Sequence, residues 1–402
     1  MIKKLFCLII CVLLLCSASL SVFASVDGNK EFYQKLKDQK VTLNVYNWGE
    51  YISDGSDDSA HVIKEFEKLT GITVHYTTFA SNEEMYAKIK SGGAQYDIII
   101  PSDYMVARMI EEDMLEKLNY SNIPNFSIVD DVYKGMEYDA ENMYSVPYMW
   151  GLVGLIYNTT MVEDEITSWD ALWDSKYIGN ILMFSNSRDA FGISLLRLGY
   201  SLNDCDPTHL EEAANELKNQ KMLVQAYVMD EIFNKMEGGE AAIAPYYAGD
   251  AITMMSENPN LAFVIPDEGT NYFVDAMVIP KGSQNKEAAE MFINFLCEPE
   301  ISAANAEYIG YSTPISQAKA LLELDESAMA IAYPPAEVIK KTEVFKALPE
   351  ETNESIDRLW TAILSYNENP NEWIGPVFLA AAFLASVVIT IVRAHKKKHE
   401  IY

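Results

Sequence analysis

Between Val41 and Pro101 the chain alternates strand-like and helix-like runs, and no other feature constrains its fold as tightly. Residues 41–48 (VTLNVYNW) alternate and are rich in β-formers, so they predict a strand. His61, Val62, Phe66 and Leu69 then recur at helical spacing, and Gly71 closes the run. Residues 72–77 (ITVHYT) predict a second strand. Ser81 and Glu84 form a capping box ahead of the helix-forming residues 85–90, which stop at Gly92 and Gly93. Residues 96–101 (YDIIIP) predict a third strand, whose unbroken isoleucines suit a parallel sheet covered on both faces. Strand, helix, strand, helix, strand implies an α/β domain.

The rest of the body continues in mixed α/β style. Residues 146–157 and 272–280 are long strand-like stretches, each able to cross between two lobes. Residues 208–220 and 229–237 predict amphipathic helices, and residues 286–297 a helix rich in core-type side chains. Residues 25–41 read as an exposed, polar lead-in, and residues 367–372 as a polar linker. The sequence holds no internal repeat and no low-complexity segment.

The two ends set an address. Lys3 and Lys4 precede an apolar run from Leu5 to Cys16, and Val22-Phe23-Ala24 resembles a cleavage site, so residues 1–24 read as a signal peptide. Leu13–Leu15 stand before Cys16 where a lipoprotein signal wants a small residue. Residues 373–392 carry no charge and are long enough to cross a bilayer as a helix. Arg393 and Lys396–Lys398 follow at once, as on a cytoplasmic flank, and residues 393–402 form a short tail. The expectation is an extracytoplasmic body anchored in the cell membrane by one C-terminal transmembrane helix.

Charge and cysteine usage narrow the partners. The 402 residues carry 30 Lys and Arg against 59 Asp and Glu, a net charge of −29, which argues against nucleic acid and anionic membrane surfaces. Of five cysteines, Cys7, Cys11 and Cys16 lie in the signal, leaving Cys205 and Cys297. Two distant thiols make no disulfide framework, and their pairing is left open.

No phosphate-binding glycine loop, dinucleotide fingerprint, zinc motif or nucleophile elbow occurs, so neither a metal nor a cofactor is expected. The body holds only His61, His75 and His209, which do not suggest a catalytic centre. Aromatic residues beside acids at strand ends stand out instead. Trp48, Glu50 and Tyr51 follow the first strand, and Ser102, Asp103 and Tyr104 the third, where open α/β sheets bind ligands. Tyr247 with Asp250, and Phe273 with Asp275, repeat the pairing. Carboxylates hold ammonium groups by charge-assisted hydrogen bonds, and aromatic faces attract cations. Each pair alone also fits a core aromatic beside a solvated acid, and Asp250 and Asp275 also suit caps or turns.

Several stretches carry a resemblance: residues 46–51 (YNWGEY), 81–88 (SNEEMYAK), 96–102 (YDIIIPS), 145–151 (SVPYMWG), 167–173 (TSWDALW) and 309–314 (IGYSTP). Together they make the chain resemble the bacterial spermidine/putrescine-binding proteins of polyamine ABC transporters, from about residue 42 to 320 and less clearly to 366. That resemblance implies a two-lobed, periplasmic-binding-protein-like α/β clamshell with the ligand between its lobes. Lobe 1 maps to 42–150 and 276–320, and lobe 2 to 151–275 and 321–366. Position by position, it implies ligand contacts from Trp48, Glu50, Tyr51, Ser102, Tyr104, Asp189, Tyr247, Asp250, Phe273, Asp275 and Tyr311.

Three positions depart from the family pattern. Asn186 replaces an acid of spermidine-preferring members, Tyr247 replaces a tryptophan, and Asp103 adds an acid. The first weakens a spermidine assignment and Asp250 favours putrescine, so either polyamine fits. The resemblance implies a receptor, not an enzyme, that delivers its ligand to ABC permease subunits. A clamshell for another small cation, or a secreted hydrolase with paired carboxylates, is the alternative.

Overall fold

A computed structural model describes the chain from Lys30 to Tyr366, apart from residues 57, 93 and 94. The expected signal peptide, linker, transmembrane helix and tail lie outside the described residues. Among those described, no helix is long and apolar enough to cross a membrane. The compact unit considered below ends at Trp360.

The sequence pattern of residues 41–101 becomes a parallel three-strand unit. β1 (Thr42–Trp48) pairs in parallel with β2 (Thr73–Phe79) and with β3, a strand of only Ile98–Ile99. Asp97 lies outside β3 because its carboxylate accepts the Asn44 amide at 2.9 Å and the Ser283 hydroxyl at 2.7 Å, bonds that a regular ladder would not make. A short α1 (Lys30–Gln34) precedes the sheet. Between β1 and β2 runs α2 (Val62–Thr70), capped by the His61 ring and closed by Gly71 at φ 74°, which suits a residue without a Cβ. Between β2 and β3 runs α3 (Asn82–Lys90), where the Ser81 hydroxyl accepts the Glu84 amide. The Glu84 carboxylate reaches Ala80 N, so the capping box closes one residue early.

Two long strands join the lobes. β4 (Ser145–Asn158) is buried along its whole length except at Tyr157. Its first half pairs antiparallel with β9 (Thr270–Val278), which meets β3 on its far side. Its second half pairs with β7 (Ile243–Tyr247) and β8 (Leu261–Val264). β7 continues in parallel to β5 (Ile181–Phe184), and β5 to β6 (Val224–Val228). A short β10 (Thr342–Val344) lies on the start of β9. The order β2-β1-β3-β9-β4-β7-β5-β6 thus forms one continuous ladder, with β4 and β9 shared by two α/β halves.

Helices cover both halves: α4 (Asp103–Glu111), α5 (Ser187–Arg197), α6 (Pro207–Lys221), α7 (Glu231–Glu237), α8 (Ala248–Glu257), α9 (Lys286–Leu296) and α10 (Pro299–Ile309). Phe66 of α2 packs edge-on against Phe292 of α9 at 4.8 Å, one node of a dry core. The lead-in differs from expectation. Tyr33 is fully buried, donates to Glu298 at 2.6 Å and accepts from Asn294, because a phenol can bury its ring while its hydroxyl finds partners. Cys205 is exposed, Cys297 is buried, and both are free thiols.

Candidate functional site

The ladder brings strand ends and helix N-termini to one place. Trp48 ends β1, and Tyr51 stands three residues on. Ser102 and Tyr104 follow β3 at the start of α4. Asp189 lies in the first turn of α5, and Tyr247 and Asp250 lie where β7 turns into α8. Phe273 and Asp275 come from β9 itself, and Tyr311 follows Gly310, whose φ of 76° ends α10. These ten residues all line one cavity. That is the setting of a small-molecule site at the carboxyl ends of α/β strands.

Four of the five carboxylates that line the cavity, Glu83, Asp189, Asp250 and Asp275, each have a phenol. Tyr51 donates to Asp275 Oδ2 at 2.6 Å, and Ser102 donates to Oδ1 at 2.6 Å. Tyr311 donates to Asp250 at 2.9 Å, Tyr247 to Asp189 at 2.8 Å, and Tyr104 to Glu83 at 2.8 Å. The one lining acid outside this pattern is Asp230. Each hydroxyl holds its carboxylate in one orientation and leaves further acceptor capacity, since an ionised carboxylate offers about four lone-pair directions. Edge-to-face aromatic contacts tie the donors together: Tyr51 to Tyr311 at 4.8 Å, and Tyr247 to Phe273 at 5.5 Å.

Burial sets the electrostatics. It pushes Asp275 up to about 6, although hydrogen bonds from Ser102 and Tyr51 favour its charged form. Burial holds Asp250 well above the usual carboxylate range, with Asp230, Glu50 and Asp275 adding repulsion. Asp189 and Glu83 are raised by the same cause, against their tyrosine partners and the nearby charge of Arg188. Glu83, Asp189 and Asp250 sit in first turns of helices, where the dipole favours negative charge and offsets part of the burial cost. Among the described residues, no Lys or Arg lines the cavity. Such a box is relieved by a guest that brings positive charge and several N–H donors.

Glu50 departs from expectation and does not line the cavity. It is exposed at φ 46°, in the turn that carries the chain from Trp48 to Tyr51, so its side chain leaves the wall. Its charge still reaches Asp250 and Asp230. Glu83, Asp230 and Phe345 also line the cavity, beyond the residues expected from the sequence. Glu83 and Glu84 are neighbours in one helical first turn, and only the fold shows that Glu84 caps while Glu83 faces the cavity. Asp230 precedes α7 just after β6, so the strand-end rule that selected Trp48 and Ser102 would have reached it. Asn186 lines the cavity and caps α5 by accepting the Asp189 amide at 2.8 Å. Asp103, the added acid, is buried behind the wall. Its carboxylate accepts the amides of Val274 and Tyr104, and burial raises it to about 8. Among the described residues, no cluster of His, Cys, Asp and Glu could hold a metal ion.

The model of the family described as bacterial extracellular solute-binding protein matches residues 61–335. The chain belongs to that family. Its members are solute-binding proteins and not enzymes, and they work outside the cytoplasm. This solute-binding protein is 38% identical over 309 residues to the spermidine/putrescine-binding periplasmic protein of Escherichia coli strain K12, covering 76% of this chain and 87% of that one. Two solved structures are similar. One is described as a spermidine/putrescine ABC transporter from Listeria monocytogenes, with 40% identity, a TM-score of 0.77, and coverage of 81% of this chain and 99% of that one. The other is a spermidine/putrescine ABC transporter substrate-binding protein from Streptococcus pneumoniae, with 40% identity, a TM-score of 0.67, and coverage of 80% and 98%.

Proposed function

We propose that this solute-binding protein captures a polyamine, putrescine or spermidine, between its two lobes and delivers it to the permease of an ABC importer. The observation that carries the reading is the set of tyrosine-paired carboxylates in a cavity that no Lys or Arg among the described residues lines. Asp275 grips an ammonium near the middle, and Asp189 and Asp250 hold ammonium groups toward the two sides. Trp48, Tyr51, Phe273 and Tyr311 cover the methylenes and Ser102, Tyr104 and Tyr247 orient the acids. Relatives named for spermidine and putrescine support the choice of ligand.

In this reading lobe 1 comprises 42–150 and 276–320, and lobe 2 comprises 151–275 and 321–366. β4 and β9 act as the hinge, and closure is favoured by contacts that exist only when both lobes reach the ligand. Residues 1–24 direct export. Residues 373–392 anchor the body in the membrane, with the basic tail inside, so that captured ligand stays near the permease. Fractionation checks the anchor: full-length protein stays with membranes after alkaline wash, and a chain ending at residue 372 is released.

Calorimetric titration of the purified full chain with putrescine, spermidine and a panel of amino acids tests the ligand. One-to-one binding of a polyamine is expected, and Asp275→Asn weakens it by about 100-fold, the scale of losing one charge-assisted contact in a buried site. Heat from an amino acid alone, or an Asp275→Asn protein with unchanged polyamine affinity, would falsify the reading.

A further inference from the structure

One wall of the cavity is a partition. Glu83 and Tyr104 line it on one side, and the same two residues line a second cavity behind it. The Tyr104 hydroxyl donates to Glu83 at 2.8 Å and accepts from Asn82 at 3.1 Å, so the partition is braced. The two sides differ in charge. Among the described residues, Arg108, Arg188 and Lys346 line the second cavity together with Glu83 and Asp357, whereas the charged residues that line the main cavity are all acids.

Arg188 is the decisive cation of the three. Arg108 reaches Glu112 at 3.1 Å and Lys346 reaches Glu137 at 3.0 Å, so both are ion-paired near the surface. Arg188 is 5% exposed. Its Nη2 donates to neutral acceptors, the Asn203 side chain at 2.9 Å and the Lys346 carbonyl at 3.3 Å, and its Nε is buried without a partner. Its guanidinium lies 4.2 Å from the centre of the Phe345 ring and 5.7 Å from that of Tyr104. Phe345 in turn lines the main cavity. A fixed cation therefore stands behind the wall that Phe345 and Tyr104 form, held there by stacking.

We propose that Arg188, stacked on Phe345 behind the Glu83–Tyr104 partition, is a length stop that sets the longest polyamine this cavity accepts. The inference rests on the polyamine reading of the cavity. The terminal ammonium of a ligand of fitting length meets Glu83 and Asp189 on the acid side of the wall. A longer ligand has to push its next ammonium past the partition toward the guanidinium, in a partly dehydrated site where like charges repel far more than in water. Arg188 is a specificity residue in this scheme and touches no ligand of fitting length. Its charge also lowers the repulsion between Glu83 and Asp189, which keeps that end suited to one ammonium and not two.

The experiment is a chain-length profile. The full chain and its variants are titrated by calorimetry with putrescine, spermidine and spermine at one fixed ionic strength. For the natural sequence, spermine is expected to bind at least about tenfold more weakly than the better of the two shorter amines. Arg188→Gln brings spermine to within about threefold of that amine, whereas Arg188→Lys keeps the discrimination because it keeps the charge. Lys346→Glu, at an exposed side chain that a folded protein tolerates, places an acid in the second cavity and shifts the profile the same way. The inference is overturned if spermine binds the natural chain as tightly as the shorter amines. It is equally overturned if Arg188→Gln and Lys346→Glu change all three affinities in the same proportion, which is what a purely structural Arg188 would do. Absence of heat from every amine with the natural chain overturns the polyamine reading itself, and the length stop with it.

Discussion

Tyr51 and Ser102 each place a hydroxyl 2.6 Å from Asp275, yet burial still holds that carboxyl near 6. Two effects compete at one residue, and burial wins. The consequence for binding has a definite sign. An ammonium needs the carboxylate, so as pH falls through about 6 an increasing share of Asp275 must first lose a proton, and affinity drops. Burial raises Asp250 as well, and a cationic guest favours its charged form. Removing the Tyr51 hydroxyl takes away a donor that favours the charged form, and Asp275 rises. Tyr51→Phe is therefore expected to move the acid limb of the affinity–pH curve to higher pH, by roughly one unit for the loss of about 1.5 kcal/mol of charge-assisted bonding. Titrations of both proteins from pH 5 to 8 check this. An acid limb that stays in place, or moves to lower pH, means that Tyr51 does not tune Asp275.

Among the elements, β4 is the one whose packing is least forgiving. Glycines at 151 and 154 let other parts approach it: a Cβ on Gly154 would sit 2.6 Å from the Val264 carbonyl and 2.3 Å from the Phe263 ring, and one on Gly151 would sit 2.8 Å from the Phe273 ring. The Val264 carbonyl belongs to the paired strand β8 and cannot turn away without breaking its ladder. Gly154→Ala is thus expected to destabilise the protein by about 1–3 kcal/mol, the range of overpacked cores. Denaturant melts would show this as an earlier midpoint with an unchanged slope, and a midpoint equal to that of the natural chain would contradict the packing argument. β4 and β9 were legible in the sequence because long runs dominated by apolar and aromatic residues have few alternatives. α2 was legible from its 3.6-residue spacing and Gly71. β3 was not legible at its true length, since Asp97 looks like part of the apolar run until its side chain is seen bonding the Asn44 amide. Tyr33 was not legible at all: a polar, lysine-rich neighbourhood hides one ring that finds a slot beside α9. The site shows the same division. Acids beside aromatics at strand ends stand out locally, whereas Glu83 and Arg188 acquire their places only when α3 and α5 are brought together across β9.

For the whole molecule, the excess of acid over base extends far beyond the cavity. A net charge of −29 on a chain of this size sets up a field that draws cations from all directions, and the low-dielectric walls of a cleft concentrate it at the mouth. The field acts on the approach more than on the bound state. Charges on the outer surface are screened over about 8 Å at physiological salt, while the contacts at Asp275, Asp189 and Asp250 are too short and too buried to be screened to the same degree. Salt should therefore slow association much more than it speeds dissociation. Stopped-flow mixing with a polyamine at about 20 and 500 mM salt is expected to show an association rate that falls by roughly tenfold or more, with a dissociation rate that changes by less than about threefold. An association rate indifferent to salt would mean that the acidic surface serves solubility alone. A dissociation rate that carried the whole effect would mean that the ligand is held by solvent-exposed charges and not by the buried tyrosine-paired carboxylates.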